Sequence, residues 1–342
     1  MSLGRAVHAA KRIFCIFCIQ KGLFLMKSGK KIVLLGAGNV GATIAYTLTL
    51  AGTASEIVLI DINADKARGE AMDILQGTSF SAPVNIYAGS YEDAANADIV
   101  VITVGFARKT GQSRLDLAQA NVDIVKSILP QITAAAPGAV YVVVSNPVDI
   151  LTYAVVKSGL LPEGRVLGSG TILDTTRLRS LLAAHVGLNI KNVHAYVFGE
   201  HGDSAVIPWS LITVGGMPMT KYCEYLCSQH NRCGKIELGD IERDVRTAGA
   251  EVIRLKGATY YAIGMSVNRI CECILRGRES LLCVSSMMHG EYGIEDVALS
   301  IPFVVGSAGV ERPLPPPLTA MEEELLRGSA QQLKEVIASL QI

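Results

Sequence analysis

His201 sits in the run Gly199-Glu200-His201-Gly202-Asp203. An imidazole titrates near neutral pH and can therefore exchange a proton during a reaction. Asp174 and Arg177 stand at i and i+3 in a helically patterned segment, which puts them on one face. A carboxylate there could orient an imidazole and favour its charged form, and the guanidinium could grip an anionic carboxylate with two parallel hydrogen bonds. From spacing alone the two residues read equally well as a surface ion pair. Arg179 lies two residues further, about 200° around the helix, so any role it has belongs to another surface. The stretch 105–114 carries Arg108, Lys109 and Arg114 and no acid, with Gly105 and Gly111 able to hinge it as a lid; a solvated basic loop is the plainer alternative. In Val144-Ser145-Asn146-Pro147, Asn146 can bond an oxygen of a ligand, while Pro147 fixes the turn and admits a cis peptide bond. A cation to hold a carboxylate, a donor to polarise a carbonyl and an acid active near neutral pH are what reduction of a keto acid requires.

These groups need elements to place them. Short apolar runs at 31–35, 56–60, 85–88, 99–104 and 140–144 read as buried strands, and helical patterns run to Leu50, to Leu75 and between the last two strands. Strands alternating with helices imply βαβ units around a parallel sheet, with ligands at the carboxyl ends of its strands. Beyond about residue 170 the rhythm changes. A helix is expected over 173–185, a strand over 193–198 and an antiparallel ribbon over 206–214. Helices at 237–256 and 259–277, strands at 281–288 and 298–305, a break at Leu314-Pro315-Pro316-Pro317 and a closing helix follow.

Gly36-Ala37-Gly38-Asn39-Val40-Gly41 fits G-x-G-x-x-G. The first glycine permits a tight turn, the second lets backbone approach a pyrophosphate, and the third permits close packing. The motif follows a strand and opens a helix, whose N–H groups and positive dipole end favour phosphate. Asp61, 20 residues past Gly41, ends the next strand, where a ribose is gripped by its hydroxyls. A carboxylate there repels a 2′-phosphate, which favours NAD over NADP.

The 342 residues include 31 basic and 31 acidic side chains, a balance that supplies neither a nucleic-acid footprint nor an electrostatic membrane anchor. The eight cysteines are irregularly spaced in a chain too large to need a disulfide framework, so reduced thiols are expected. Cys223, Cys227, His230 and Cys233 lack the usual two-residue spacing of a zinc site, and no metal is expected. Residues 1–26 stand outside the repeating pattern. Their apolar run, 13–19, is too short to span a membrane or to make an ordinary signal peptide. They read as an N-terminal extension without a place in the fold, and the chain as a cytoplasmic one.

Taken in order, Gly36 to Gly41, Asp61, Arg114, Asn146, Asp174-x-x-Arg177 and 199–203 resemble the lactate/malate dehydrogenase family over 31–342. The resemblance implies a Rossmann doubly wound parallel sheet over 27–170, then an α+β catalytic domain over 171–342. It implies NAD-dependent hydride transfer on a small 2-keto or 2-hydroxy acid. His201 would be the proton donor and acceptor, Asp174 its partner, Arg177 the carboxylate grip and Arg114 the group that polarises the carbonyl. Gly36, Gly38, Asn39, Val40, Gly41, Asp61, Tyr91, Gly105, Ser127, Ser145 and Asn146 match positions beside the cofactor, and Asn146 and Thr259 match positions beside the substrate.

Within that family the frame is similar to bacterial L-lactate enzymes, through Gly168-Ser169-Gly170-Thr171-Ile172-Leu173-Asp174-Thr175, Trp209 and Lys256-Gly257-Ala258-Thr259-Tyr260-Tyr261. The lid departs from it: Arg108, Thr110 and Gln112 replace the usual lactate-type residues, and an arginine at 108 is malate-like. An Arg108–carboxylate pair at ~4 Å is worth about 4 kcal/mol gross at an effective dielectric near 20. Pyruvate is therefore the expected keto acid and oxaloacetate the alternative. Arg179 and His194 match the pair that binds fructose 1,6-bisphosphate between subunits in allosteric bacterial members, which implies a homotetramer. A redox sensor on the same fold would be expected to have lost His201, Arg177 or Arg114.

Overall fold

A computed structural model describes residues 30–106, 114–230 and 238–342. Six strands make the parallel part of the sheet: β1 (Lys31–Leu35), β2 (Glu56–Ile60), β3 (Asn85–Ala88), β4 (Ile99–Ile102), β5 (Val140–Val143) and β6 (Val166–Gly168). They lie in the order β3-β2-β1-β4-β5-β6 with parallel pairing throughout. The central runs IVLL, IVLI, IVVI and VYVV are buried, as expected where helices cover both faces of a parallel sheet. The helices of this half are α1 (Asn39–Ala51), α2 (Ala64–Gln76), α3 (Arg114–Ala135) and α4 (Val148–Lys157). The order reverses between β1 and β4, so the crevice opens at the carboxyl ends of those strands.

The second half contributes α5 (Ile172–Val186), β7 (Val193–His194), β8 (Thr213–Val214), β9 (Met217–Pro218), α6 (Met219–His230), α7 (Leu238–Lys256), α8 (Tyr261–Arg276), β10 (Ser280–His289), β11 (Glu295–Gly306), β12 (Gly309–Pro313) and α9 (Ala320–Ala338). The sheet does not stop at β6. Ser285 of β10 pairs antiparallel with Gly168, and β10-β11-β12 extend the sheet to nine strands. Gly168 makes the junction possible, since a Cβ there would lie 2.4 Å from Thr152 Oγ1 and 2.9 Å from Ser285 Cβ. One apolar core runs through both halves, from Ile32 and Val100 to Val284 and Leu299. A smaller core, including Leu178, Val197, Ile207 and Val245, lies beneath the β7-β8-β9 sheet.

The expected ribbon over 206–214 is a correction. Val206 makes only an isolated bridge to Phe198. Pro208 then leads into a 3-10 turn over Trp209–Leu211, whose indole N–H donates to Glu242 Oε1 at 2.6 Å. Proline has no N–H to give a ladder, so regular pairing resumes only at β8. The expected strand over 193–198 likewise pairs only at Val193 and His194. β6, β12, α4 and α6 were not anticipated.

Candidate active site

The glycine turn between β1 and α1 has the shape its spacing predicts. Gly36 has φ +105°, and a Cβ on Gly41 would sit 1.9 Å from the Gly36 carbonyl oxygen, so neither position admits a side chain. A Cβ on Gly38 would meet no atom within 4 Å, because that backbone faces open space. No side chain caps α1, which leaves its amino end suited to an anion. Asp61 directly follows β2 beside the turn. Its Oδ2 accepts the Ala37 N–H at 2.6 Å and its Oδ1 the Asn63 N–H at 2.8 Å. An exposed glycine backbone, an uncapped helix start and an anchored carboxylate fit the pyrophosphate and ribose of NAD.

At the other side of the crevice, a loop is stitched in place to carry His201. Gly199 and Ser300 of β11 exchange both backbone hydrogen bonds, at 2.8 and 3.0 Å. Glu200 N–H donates to Ser329 Oγ of α9 at 2.9 Å, and His201 N–H donates to Asp149 Oδ2 of α4 at 2.8 Å. Gly199 has φ +82°, and a Cβ there would lie 2.7 Å from Ser329 Oγ. α5 and its N-cap are tied to the segment entering this loop: Thr175 Oγ1 accepts Val197 N–H at 3.0 Å, and Thr171 Oγ1 donates to Val197 O.

These ties bring α5 and the loop into register. His201 Nδ1 lies 2.5 Å from Asp174 Oδ2, while Arg177 donates from NH1 to Asp174 Oδ1 at 2.8 Å. Asp174 is buried. Burial pushes its carboxyl upward, but the charges and hydrogen bonds of His201 and Arg177 outweigh that and hold it below the usual range. Burial alone would lower the imidazole pKa. The Asp174 charge and hydrogen bond, helped by Asp149, more than offset burial and the opposing Arg177, so the His201 pKa is raised. The imidazolium is therefore kept populated near neutral pH.

His201, Asp174 and Arg177 line one cavity of about 310 Å³, together with Asn146, Arg246 and Thr259. A second cavity of about 190 Å³ adjoins it, lined by Thr103, Gly105, Asn121 and Ser145. Val40, Val144 and Asn146 border both, so the glycine turn and the His201 loop meet across them. The Asn146–Pro147 peptide bond is cis. Ser145 Oγ donates to Val104 O at 2.5 Å, joining the ends of two strands.

Not every expected position reaches these cavities. Arg108 lies outside the described residues, as does the side chain of Arg114, although its backbone opens α3. Tyr91 begins the turn after β3 and packs partly buried against the core. Ser127 is exposed on α3 and donates to Ile124 O at 2.7 Å. Arg179 turns to a different hollow, donating from Nε to Ala195 O at 2.9 Å, with its guanidinium 5.4 Å from the Tyr196 ring centroid. His194 is exposed on β7 opposite Thr213. Cys271, Cys273 and Cys283 are buried thiols outside any disulfide; Cys233 and the side chains of Cys227 and His230 lie outside the described residues.

Three residues escaped the sequence reading. Asn121 of α3 accepts Phe106 N–H at 2.8 Å and donates to Asn146 O at 2.7 Å, so it locks the two strand ends together. Asp149 supports the His201 backbone. Arg246 of α7 adds a second guanidinium to the larger cavity. Asn121 and Arg246 are ordinary polar residues in helical patterns, and Asp149 lies in a helix the sequence reading did not place, its proximity to Asn146-Pro147 being the one signal.

The family profile described as lactate/malate dehydrogenase, NAD binding domain, matches residues 30–168. The profile for the lactate/malate dehydrogenase alpha/beta C-terminal domain matches residues 171–341. The L-lactate dehydrogenase of Acetivibrio thermocellus is 49% identical over 313 residues, 92% of this chain and 98% of that protein. L-lactate dehydrogenase 1 of Clostridium acetobutylicum is 46% identical over 315 residues, 92% of this chain and all of that protein. Among solved structures, the ligand-bound minor L-lactate dehydrogenase of Enterococcus mundtii has a TM-score of 0.87 at 40% identity, covering 92% of this chain and 100% of that one.

Proposed function

The chain belongs to the lactate/malate dehydrogenase family, and from that premise we propose that it interconverts pyruvate and L-lactate with NAD. The carrying observation is the convergence of His201, Asp174 and Arg177 on one cavity that adjoins the glycine turn. Identity of 49% to an L-lactate dehydrogenase over nearly the whole chain supports pyruvate as the keto acid.

NADH, when bound, supplies the hydride that the carbonyl carbon accepts. Arg177 holds the substrate carboxylate; a guanidinium has five N–H donors, and the contact with Asp174 engages NH1. Arg114, whose backbone opens α3, polarises the carbonyl. The protonated imidazole gives its Nε2 proton to the oxygen that becomes the lactate hydroxyl, while Asp174 holds Nδ1 and stabilises the charged ring. In the reverse direction the neutral imidazole takes that proton back. Asp61, Gly36, Gly38, Asn39, Val40 and Gly41 hold the cofactor's ribose and pyrophosphate; Gly105, Ser145 and Asn146 border its reactive end. Tyr91 and Ser127 flank it further out, and Thr259 closes the substrate side.

Oxaloacetate is the second reading. Arg246 lines the same cavity as Arg177, and a Cβ on neighbouring Gly249 would come no nearer than 3.6 Å to another group. A second cation thus lines the cavity, 3.7 Å from Glu242 Oε2, in addition to the Arg108 of the 105–114 stretch. Measuring NADH oxidation with each keto acid decides between them. A larger kcat/KM for pyruvate is expected; a tenfold advantage for oxaloacetate overturns the lactate assignment.

Fructose 1,6-bisphosphate regulation, a homotetramer and a cytoplasmic location complete the proposal. Arg179 and His194 would take the bisphosphate where subunits meet. No helix among the described residues is long and apolar enough to cross a membrane. The bisphosphate should lower the apparent KM for pyruvate, and Arg179→Ala should abolish that response. An unresponsive wild type removes the allosteric part alone.

A further inference from the structure

One buried carboxylate behind the His201 loop has no part in the reaction as written. Asp149 lies in the first turn of α4 and is 2% exposed. Its Oδ2 accepts the His201 backbone N–H at 2.8 Å. Its Oδ1 is buried with no hydrogen-bond partner among the described residues. Ser285 of β10 interacts with the carboxylate, yet Ser285 Oγ also completes no hydrogen bond there. An ionised, half-satisfied carboxylate is a costly buried group. A neutral amide could accept the same N–H without carrying a charge.

The titratable surroundings are few. The 199–203 loop presents the His201 ring and Glu200, whose charges respectively favour and oppose ionisation of Asp149; β10 presents the Ser285 hydroxyl. α5 presents Asp174 and Arg177, which act on the same imidazole. We infer that Asp149 is a positioning residue for His201, holding its backbone amide and placing a second negative charge behind the imidazolium, so that it helps set the acidity of the catalytic proton. The inference rests on the reading of His201 as proton donor.

The electrostatics run in one direction. Asp149 raises the His201 pKa, adding to Asp174 against burial and Arg177. Burial pushes the Asp149 carboxyl up to about 6, close to the range where His201 works. Each charge favours the charged form of the other group, so a proton on Asp149 makes His201 the stronger acid.

The decisive variant is Asp149→Asn, which keeps an acceptor for the His201 N–H and removes the charge. With NADH bound, the His201 ring titration followed by NMR should move down by roughly half to one pH unit. A stronger acid is a weaker base, so pyruvate reduction at pH 8 should fall about threefold while lactate oxidation at pH 6 rises about threefold. Loss of packing alone lowers both rates at every pH. Folding is checked by the melting temperature at pH 8, expected at or above wild type. Asp149 has a raised folded-state pKa, so its ionisation destabilises the fold as pH rises from about 4 towards 6. Ser285→Ala withdraws a group that favours the carboxylate and should give the same pattern at smaller amplitude.

A His201 titration midpoint that does not move in folded Asp149→Asn, or a rate loss uniform across pH, overturns the inference. The ring titration needs no turnover, so it judges the coupling separately from the catalytic reading. That reading fails independently if His201→Gln retains most of its activity.

Discussion

Two imidazole–carboxylate pairs among the described residues look alike on paper. His201 meets Asp174, and His289 at the end of β10 meets Glu163. Both imidazoles have raised pKa values, but the causes differ in order. For His201, burial opposes the charged form and the Asp174 charge overrides it. For His289, the hydrogen bond it donates to Glu163 leads and burial is a lesser opposing effect. The side chain of Asp174 is 8% exposed and that of Glu163 40%. The hollow beside His289 contains Lys157 and Asp296, already paired at 2.6 Å and both well exposed. A histidine beside a carboxylate is therefore not in itself a site. What separates the two is a buried carboxylate, a guanidinium lining the same cavity and a cofactor turn across the crevice.

The largest test of that contrast replaces each histidine by glutamine. His201→Gln should reduce kcat/KM for pyruvate by about a thousandfold, the scale of general acid–base catalysis. His289→Gln should leave it unchanged within about twofold. Equal losses would break the comparison outright.

Arg177→Lys tests the geometry of the anion grip, since it keeps the charge and loses the planar fork. KM for pyruvate should rise about a hundredfold. A KM near wild type would mean that charge alone defines the cavity.

Asp174→Asn sharpens the role of the buried partner. Activity should fall about tenfold or more, and the alkaline limb of pyruvate reduction should move to lower pH as His201 loses its counter-charge. The stability effect has a definite sign. The folded-state pKa of Asp174 is lowered, so its contribution is present above the unfolded value of 3.8 and disappears as pH falls through the folded one. Melting temperatures of variant and wild type should therefore converge in acid.

The smallest effect belongs to the exposed pair. The folded-state pKa of His289 is raised, so any stabilisation is complete below the unfolded value of 6.5 and is lost as pH rises through the folded one. Solvent screening limits it to below about 0.5 kcal/mol. Chemical denaturation of His289→Gln at pH 5.5 and pH 9 measures it, and a cost above 1 kcal/mol at pH 5.5 would contradict the description of an exposed, weak pair.

Much of this molecule is written locally. The glycine turn, Asp61 and the Asp174–Arg177 spacing are readable because a strand-to-helix turn and one helical face are each defined within a few residues. Five of the six parallel strands were legible for the same reason, a run buried on both sides being apolar throughout; β6, only three residues long, was not. Tertiary structure decided what distance along the chain conceals. Asp174 and His201 are 27 residues apart, and Asp149 and His201 are 52 apart. Sequence supplied the three side chains, but packing of α4, α5 and β11 around the loop put them together. The continuation of the sheet from Gly168 to Ser285 depended on two backbones with space between them for no side chain, a condition that neither segment displays alone. Residue type fixes what a group can do; burial and neighbours fix whether it is charged, paired or idle, and those belong to the folded chain.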